Sequence, residues 1–217
     1  MKLALRTTLL ILLLSLSAAA QTPDAERRQE PTVAAPSPVD RGQVKLAEAD
    51  EAALPNFARV NEHLFRGAQP SERGMALLAA MGIRTVINLR DDDGRAERER
   101  VLVQSLGMRY FNVPMRGLAR PKDEQIERVL ALIADPANWP VFIHCRRGAD
   151  RTGTVVACYR IAKQGWTAKQ AISEAESRGM SLFAFAMRDY IRDYAEREQR
   201  QAHATPKLAP PELRPAP

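Results

Sequence analysis

Residues 141–153 read VFIHCRRGADRTG, and they decide how the rest of the chain is understood. Pro140 launches the short apolar run Val141–His144, which suits a strand buried on both faces of a sheet. The loop CRRGAD follows, and a helix is expected to begin around Asp150–Arg151. A loop that curls into a helix N-terminus gathers successive backbone N–H groups. Such a nest, backed by the helix dipole, is an anion site. Cys145 stands in it. A free thiol titrates near pKa ~8.5, and helix N-termini and nearby cations lower it by several units, so a thiolate at neutral pH is expected. Arg151, six residues on, can fold back over the loop and hold two oxygens of one phosphate bidentately, as Lys could not. Gly148 permits the turn that points the amides inward. Thr152 can donate its hydroxyl to the sulfur, and Gly153 is expected to let the helix lie close to the sheet.

Outward from this loop, strand-like and helix-like segments alternate. Strand candidates lie within Arg59–Gly67 and at Ile83–Leu89 and Met108–Val113. Ser71 is an N-cap for a helix that ends before Gly82. Pro121 opens a helix over Lys122–Asp135, whose Ile126, Val129, Leu130 and Ile133 recur at helical spacing before Pro136. Three more helices are expected at about 150–163, 168–178 and 184–199. Phe183, Met187, Tyr190, Ile191 and Tyr194 form one stripe near the last, read as core. The result is an α/β domain: a central, mostly parallel sheet of four to five strands with helices on both faces.

The ends read differently. Lys2 and Arg6, the apolar run Leu9–Leu16 and Ala18-Ala19-Ala20 have the layout of a signal peptide over 1–20. The apolar run is far short of the roughly 20 residues that span a bilayer, so no stable membrane span is expected after cleavage. Export, to a bacterial periplasm, follows. Residues 21–55, rich in Pro, Ala and charge, read as a flexible leader, 56–200 as the folded domain, and 201–217 as a disordered Pro-rich tail. The net charge of +6 is mild and interspersed with acids, as in Arg95–Arg100, which suits solvated helix faces rather than nucleic acid.

The chain has two cysteines, Cys145 and Cys158. Eight residues along a helix is roughly 12 Å, beyond the ~7 Å that a disulfide bridges. Cys158 therefore reads as a small buried hydrophobe. No cofactor and no metal site is indicated.

These residues resemble the His-Cys-x5-Arg-Ser/Thr signature of protein-tyrosine and dual-specificity phosphatases. LFRGAQPSERG (64–74), GIRTVINLR (82–90), Val113-Pro114-Met115 and YRIAKQGW (159–166) resemble the small atypical members found in bacteria, plants and fungi. The resemblance implies the cysteine-phosphatase fold and metal-free hydrolysis of phosphomonoesters through a phosphocysteine. It implies Cys145 as nucleophile, Arg151 as phosphate clamp, His144 as a tuner of the thiolate, and a cradle made by Cys145, Arg146, Arg147, Gly148, Ala149, Asp150 and Arg151. Many relatives carry an aspartate general acid about thirty residues before the cysteine, where this chain reads NVPMRGLAR. Two carboxylates are left as proton donors: Asp150 within the loop, which is favoured, and Asp123 at the start of the 122–135 helix. Asp91-Asp92-Asp93 reads as a solvated turn before Gly94. The expected substrate is a phosphotyrosyl or dual-specificity phosphoprotein. Arg146 and Arg147 keep open an inositol phosphate or phosphoinositide, and a phosphate-binding module without turnover is a further alternative.

Overall fold

The computed structural model describes residues 48–204. The signal-peptide reading at 1–20, most of the leader and the tail beyond 204 lie outside these residues. The elements run α1 (Glu48–Ala53), β1 (Ala58–Arg59), β2 (Leu64–Gly67), α2 (Glu72–Ala80), β3 (Thr85–Asn88), α3 (Gly94–Ser105) and β4 (Arg109–Asn112). Then come α4 (Asp123–Ala134), a 3₁₀ turn at Pro136–Asn138, β5 (Val141–His144), α5 (Asp150–Gln164), α6 (Ala168–Ser177) and α7 (Phe185–Ala204). The fold thus starts before Asn56. α1 lies in the stretch read as leader, and Ala53 and Leu54 are buried. Its polar first turn hid a short apolar end that the α2 contact covers. At the other end α7 runs through 201–204.

The sheet order is β1-β2-β5-β3-β4. β2, β5, β3 and β4 are parallel neighbours, and β1 pairs antiparallel with β2. β5 occupies the centre, with Val141 level with Leu64 and Thr85, and His144 level with Gly67 and Asn88. Its alternation feeds two cores. Val141 and Ile143, with Ile87 and Leu64, face one layer that holds Val129, Val155, Ala171 and Ile191 from α4–α7. Phe142 and Val86 face the other, with Leu54, Met75, Leu78 and Val103 from the α1–α3 side. Every side chain of β3 and β5 is buried, as apolar runs without polar alternation require.

Local signals explain the helix starts. Ser71 Oγ accepts the Gly74 N–H at 3.1 Å, and Asp93 caps α3 through the N–H groups of Arg95 and Ala96. The acidic 91–93 turn is therefore the entry to a helix. α5 springs directly from the loop after β5 and packs against α4, α6 and α7. In consequence the loop at 145–150 sits at the carboxyl end of the central strand, where open α/β sheets bind their ligands.

Candidate active site

The loop's shape follows from where its carbonyls go. Arg146 O accepts the Gln69 N–H, Arg147 O accepts Asn56 Nδ2 at 3.1 Å, and Gly148 O accepts Arg66 Nη2 at 2.6 Å. Ala149 O accepts the Gly153 N–H, and Asp150 O accepts the Thr154 hydroxyl. All five carbonyls are satisfied from outside the loop. Because each peptide N–H lies opposite the preceding C=O, the intervening amides are left facing inward. Gly148 adopts φ +67°, and a Cβ there would meet the Gly67 backbone at 2.4 Å, so no other residue fits without displacement.

Arg66 is almost fully buried beneath the loop, and Nε and Nη1 have no partner among the described residues. Burial pushes its guanidinium down to about 10, partly offset by the charges of Glu174 and Cys145. Asn56 takes a left-handed φ of +54° and ties Arg147 O to Arg178 O. Neither residue was legible as part of the site. Arg66 and Gln69 lie in the quoted 64–74 segment, yet nothing in a sequence says that they brace a loop some 80 positions away.

Cys145 is 2% exposed. Burial alone would push its thiol up. The Thr152 hydroxyl and N–H, the Arg151 charge and the Gly148 N–H outweigh it, and the net shift is downward from the ordinary thiol value. The Thr152 hydroxyl is buried with no aligned partner among the described residues, and it lies near enough to the sulfur to help lower the thiol. Cys158, also free, is fully buried in the core between α5 and its neighbours, and burial pushes its thiol upward. The two cysteines are opposites in environment.

Arg151 is buried against the site, its Nη1 donating to Met115 O at 3.1 Å and to Leu89 O at 3.4 Å, with Asp91 Oδ2 at 3.9 Å. The acidic turn after β3 thus comes near the phosphate loop through Asp91. His144 is completely buried, and its Nε2 lies 2.6 Å from Glu99 Oε1. Neither ring nitrogen finds an aligned acceptor, so this is a close contact rather than a well-directed bond. Glu99 Oε2 accepts from Asn88 Nδ2 and Gln69 Nε2, both at 3.1 Å. Glu99 belongs to the charged run read as a solvated face. Its burial against His144 shows that one residue of that run points inward.

Both candidate proton donors are hydrogen-bonded, and two other expectations, for Gly153 and Phe183, need correction. Asp150, favoured as proton donor, accepts Arg147 Nη2 and the Ser181 N–H, each at 2.7 Å, one on each oxygen. The carboxylate thereby ties the phosphate loop to the segment that begins at Ser181. Asp123 accepts the Tyr190 hydroxyl at 2.7 Å and Arg197 Nη2 at 2.8 Å, which joins α4 to α7. Gly153 faces Ala175 of α6 and Met180, at 3.2 and 3.3 Å from where a Cβ would be, and not the sheet. Phe183, placed in the core stripe, is 74% exposed, because the helix begins at Phe185 and the periodicity does not extend back to it.

The pocket over Cys145 has a volume of about 260 Å³. Arg146, Arg147, Asp150 and Arg151 line it with Gly117, Leu118 and Ser181. A lowered thiol under an arginine, in a nest of inward amides, is built to receive a tetrahedral oxyanion.

Comparison with known proteins agrees with that reading. Residues 43–193 match the family model described as DSP-PTPase phosphatase fused to NAD+ kinase, and the chain belongs to this DSP-PTPase family. It is 33% identical over 139 residues to the dual specificity protein phosphatase TpbA of Pseudomonas aeruginosa, covering 64% of this chain and 59% of that protein. It is 36% identical over 109 residues to inositol diphosphatase DSP2 of Oryza sativa subsp. japonica, covering 48% and 53%. The match thus spans little more than half the length of these relatives. The crystal structure of P. aeruginosa TpbA superposes with a TM-score of 0.58 at 29% identity, over 69% of this chain and 91% of that one. The catalytic domain of Siw14 from S. cerevisiae, at 22% identity and a TM-score of 0.58 over 68% and 92%, shares the fold. The cysteine-phosphatase fold and its mostly parallel five-stranded sheet are as expected from the sequence.

Proposed function

We infer that this protein is a cysteine-dependent phosphomonoesterase acting on phosphotyrosyl or dual-specificity phosphoprotein substrates. The observation that carries the reading is Cys145: a thiol shifted downward despite burial, in a loop whose carbonyls from Arg146 to Asp150 are all bonded outside it. The Cys145 thiolate attacks phosphorus, the P–O bond to the leaving group breaks, and the leaving oxygen takes a proton. Water then attacks the phosphocysteine, the S–P bond breaks, inorganic phosphate departs and the thiolate returns. Arg151 and the inward amides hold the three equatorial oxygens, whose charge grows in each transition state. The Thr152 proton stabilises the sulfur as it leaves. His144, held against Glu99, fixes the end of β5 from which Cys145 projects.

The test is hydrolysis of p-nitrophenyl phosphate by the full chain in the presence of chelator. Turnover is expected, and Cys145→Ser should abolish it while leaving vanadate binding intact. A wild type that binds vanadate but never turns over would instead be a phosphate-binding module.

One observation favours a second reading, a phosphoanhydride such as a diphosphoinositol phosphate. Asp150 is the carboxylate lining the pocket, and both its oxygens are occupied. An anhydride expels a phosphate, which leaves without a protonating acid. A panel of phosphotyrosyl peptide, phosphoseryl peptide and diphosphoinositol phosphate separates the two.

A further inference from the structure

Met180–Phe185 contains three of the most exposed large apolar side chains among the described residues: Leu182 at 78%, Phe183 at 74% and Phe185 at 63%. The segment starts at the pocket wall, since Ser181 lines the pocket. It is not a loose loop. The Ser181 N–H donates to Asp150, the buried Arg188 donates to Ser181 O at 2.9 Å and Leu182 O at 3.3 Å, and Ser181 Oγ accepts the Phe183 N–H. Arg188 is in turn held by Glu176 at 2.8 Å. The backbone is pinned from both sides while its apolar side chains are held out in water. Leu118, also exposed, stands in the pocket lining beside Ser181.

Contiguous exposed apolar surface beside a site marks where something apolar docks. The charges say what kind of thing. The cations are concentrated at the bottom and mouth of the pocket as Arg146, Arg147 and Arg151, and Arg147 is already paired with Asp150. On the 180–192 segment Arg188 is buried on Glu176 and Arg192 pairs with Asp189 at 2.6 Å. The pocket lining is mostly polar, with Leu118 its large apolar side chain, and the apolar 182–185 segment adjoins it through Ser181. A multiply phosphorylated inositol would meet Leu and Phe where it needs cations, and an anionic bilayer would find no unpaired cation on the segment.

We propose that Leu182, Phe183 and Phe185 form a docking surface for an apolar residue flanking the phosphotyrosine of a polypeptide substrate, with Leu118 and Ser181 flanking the aryl ring. This rests on the phosphatase reading for its phosphate pocket, and its test is arranged to fail separately. Two fluorescent phosphotyrosyl peptides, one with leucines beside the phosphotyrosine and one with serines, are titrated by anisotropy into Cys145→Ser protein. The leucine peptide should bind about tenfold tighter, the lower end of what an apolar contact discriminates. Adding Leu182→Ser, Phe183→Ser and Phe185→Ser should bring the ratio to about one and leave the serine peptide's affinity as it was. Circular dichroism confirms that the variant is folded. The same variants are also sedimented with phosphatidylglycerol vesicles.

Equal binding of the two peptides overturns the proposal, as does a preference that survives the triple substitution. Vesicle binding lost on substitution, with the peptide ratio unmoved, overturns it in favour of a membrane. Wild-type turnover of p-nitrophenyl phosphate is recorded in parallel. Turnover without peptide discrimination leaves the phosphatase reading standing and the docking surface refuted. Discrimination without turnover does the reverse.

Discussion

Replacing Gly148 with alanine tests whether the cradle is moulded by the strand beneath it. The added Cβ would lie 2.4 Å from both C and O of Gly67 and 2.5 Å from Ala68 N, whereas ordinary contact begins at 3.4 Å. The two backbones must separate by about 1.0 Å. β2 is hydrogen-bonded to strands on both sides, so the loop is the partner that moves, stretching the 2.6 Å bond from Arg66 to Gly148 O. A non-glycine residue at positive φ adds about 1–2 kcal/mol of strain. A misplacement of about 1 Å in a catalytic group lowers rate roughly 10²-fold. Gly165 supplies the control. It has the same φ of +67° but nothing within 4 Å of an added Cβ, so Gly165→Ala carries the strain without the displacement. Both variants should lose thermal stability, the second by about 1 kcal/mol. Only Gly148→Ala should lose kcat/KM on p-nitrophenyl phosphate, by about 100-fold. If the two variants fall within about threefold of each other in kcat/KM, the moulding argument is wrong.

Thr152→Val removes the hydroxyl that helps hold the Cys145 thiol below its ordinary value, so that thiol should titrate higher. Because the thiolate is the reactive form, the acidic limb of kcat/KM and the pH midpoint of alkylation by iodoacetate should both move to higher pH; an unmoved midpoint would show that the hydroxyl does not face the sulfur. Asp150→Asn and Asp123→Asn should change phenyl phosphate and p-nitrophenyl phosphate turnover by the same factor, since both carboxylates hold structure. A variant that loses about 10²-fold or more on the poorer leaving group alone would identify the proton donor.

Much of the fold was legible because its signals are local. Ser71, Pro121 and Pro136 punctuate helices where the chain bends, and Val141–His144 is short, apolar and central. The nucleophilic loop was legible for the same reason, since strand, cysteine, glycine, arginine and helix are contiguous. What escaped was set by contacts across the sheet. Glu99 looks like every other charge in its run until β3 and β5 bring Asn88 and His144 to it. The motif fixes the distance of Asp150 from Cys145, but not its partners, Arg147 and Ser181, the latter 31 positions downstream. α1 escaped because its burial depends on α2, and Phe183 because a stripe of period 3.6 does not announce where its helix begins.

The bracing of the loop by Asn56, Arg66 and Gln69 bears on how portable the motif is. Ten residues from His144 to Gly153 carry the recognisable pattern, but the template that sets their backbone belongs to a hairpin far away in the chain. Grafting those ten residues after a central strand of another α/β scaffold would transplant the thiol and the arginine without their cast. A successful graft would have to include the 56–69 hairpin as well, with a glycine at the place of Gly67 and a buried guanidinium at the place of Arg66.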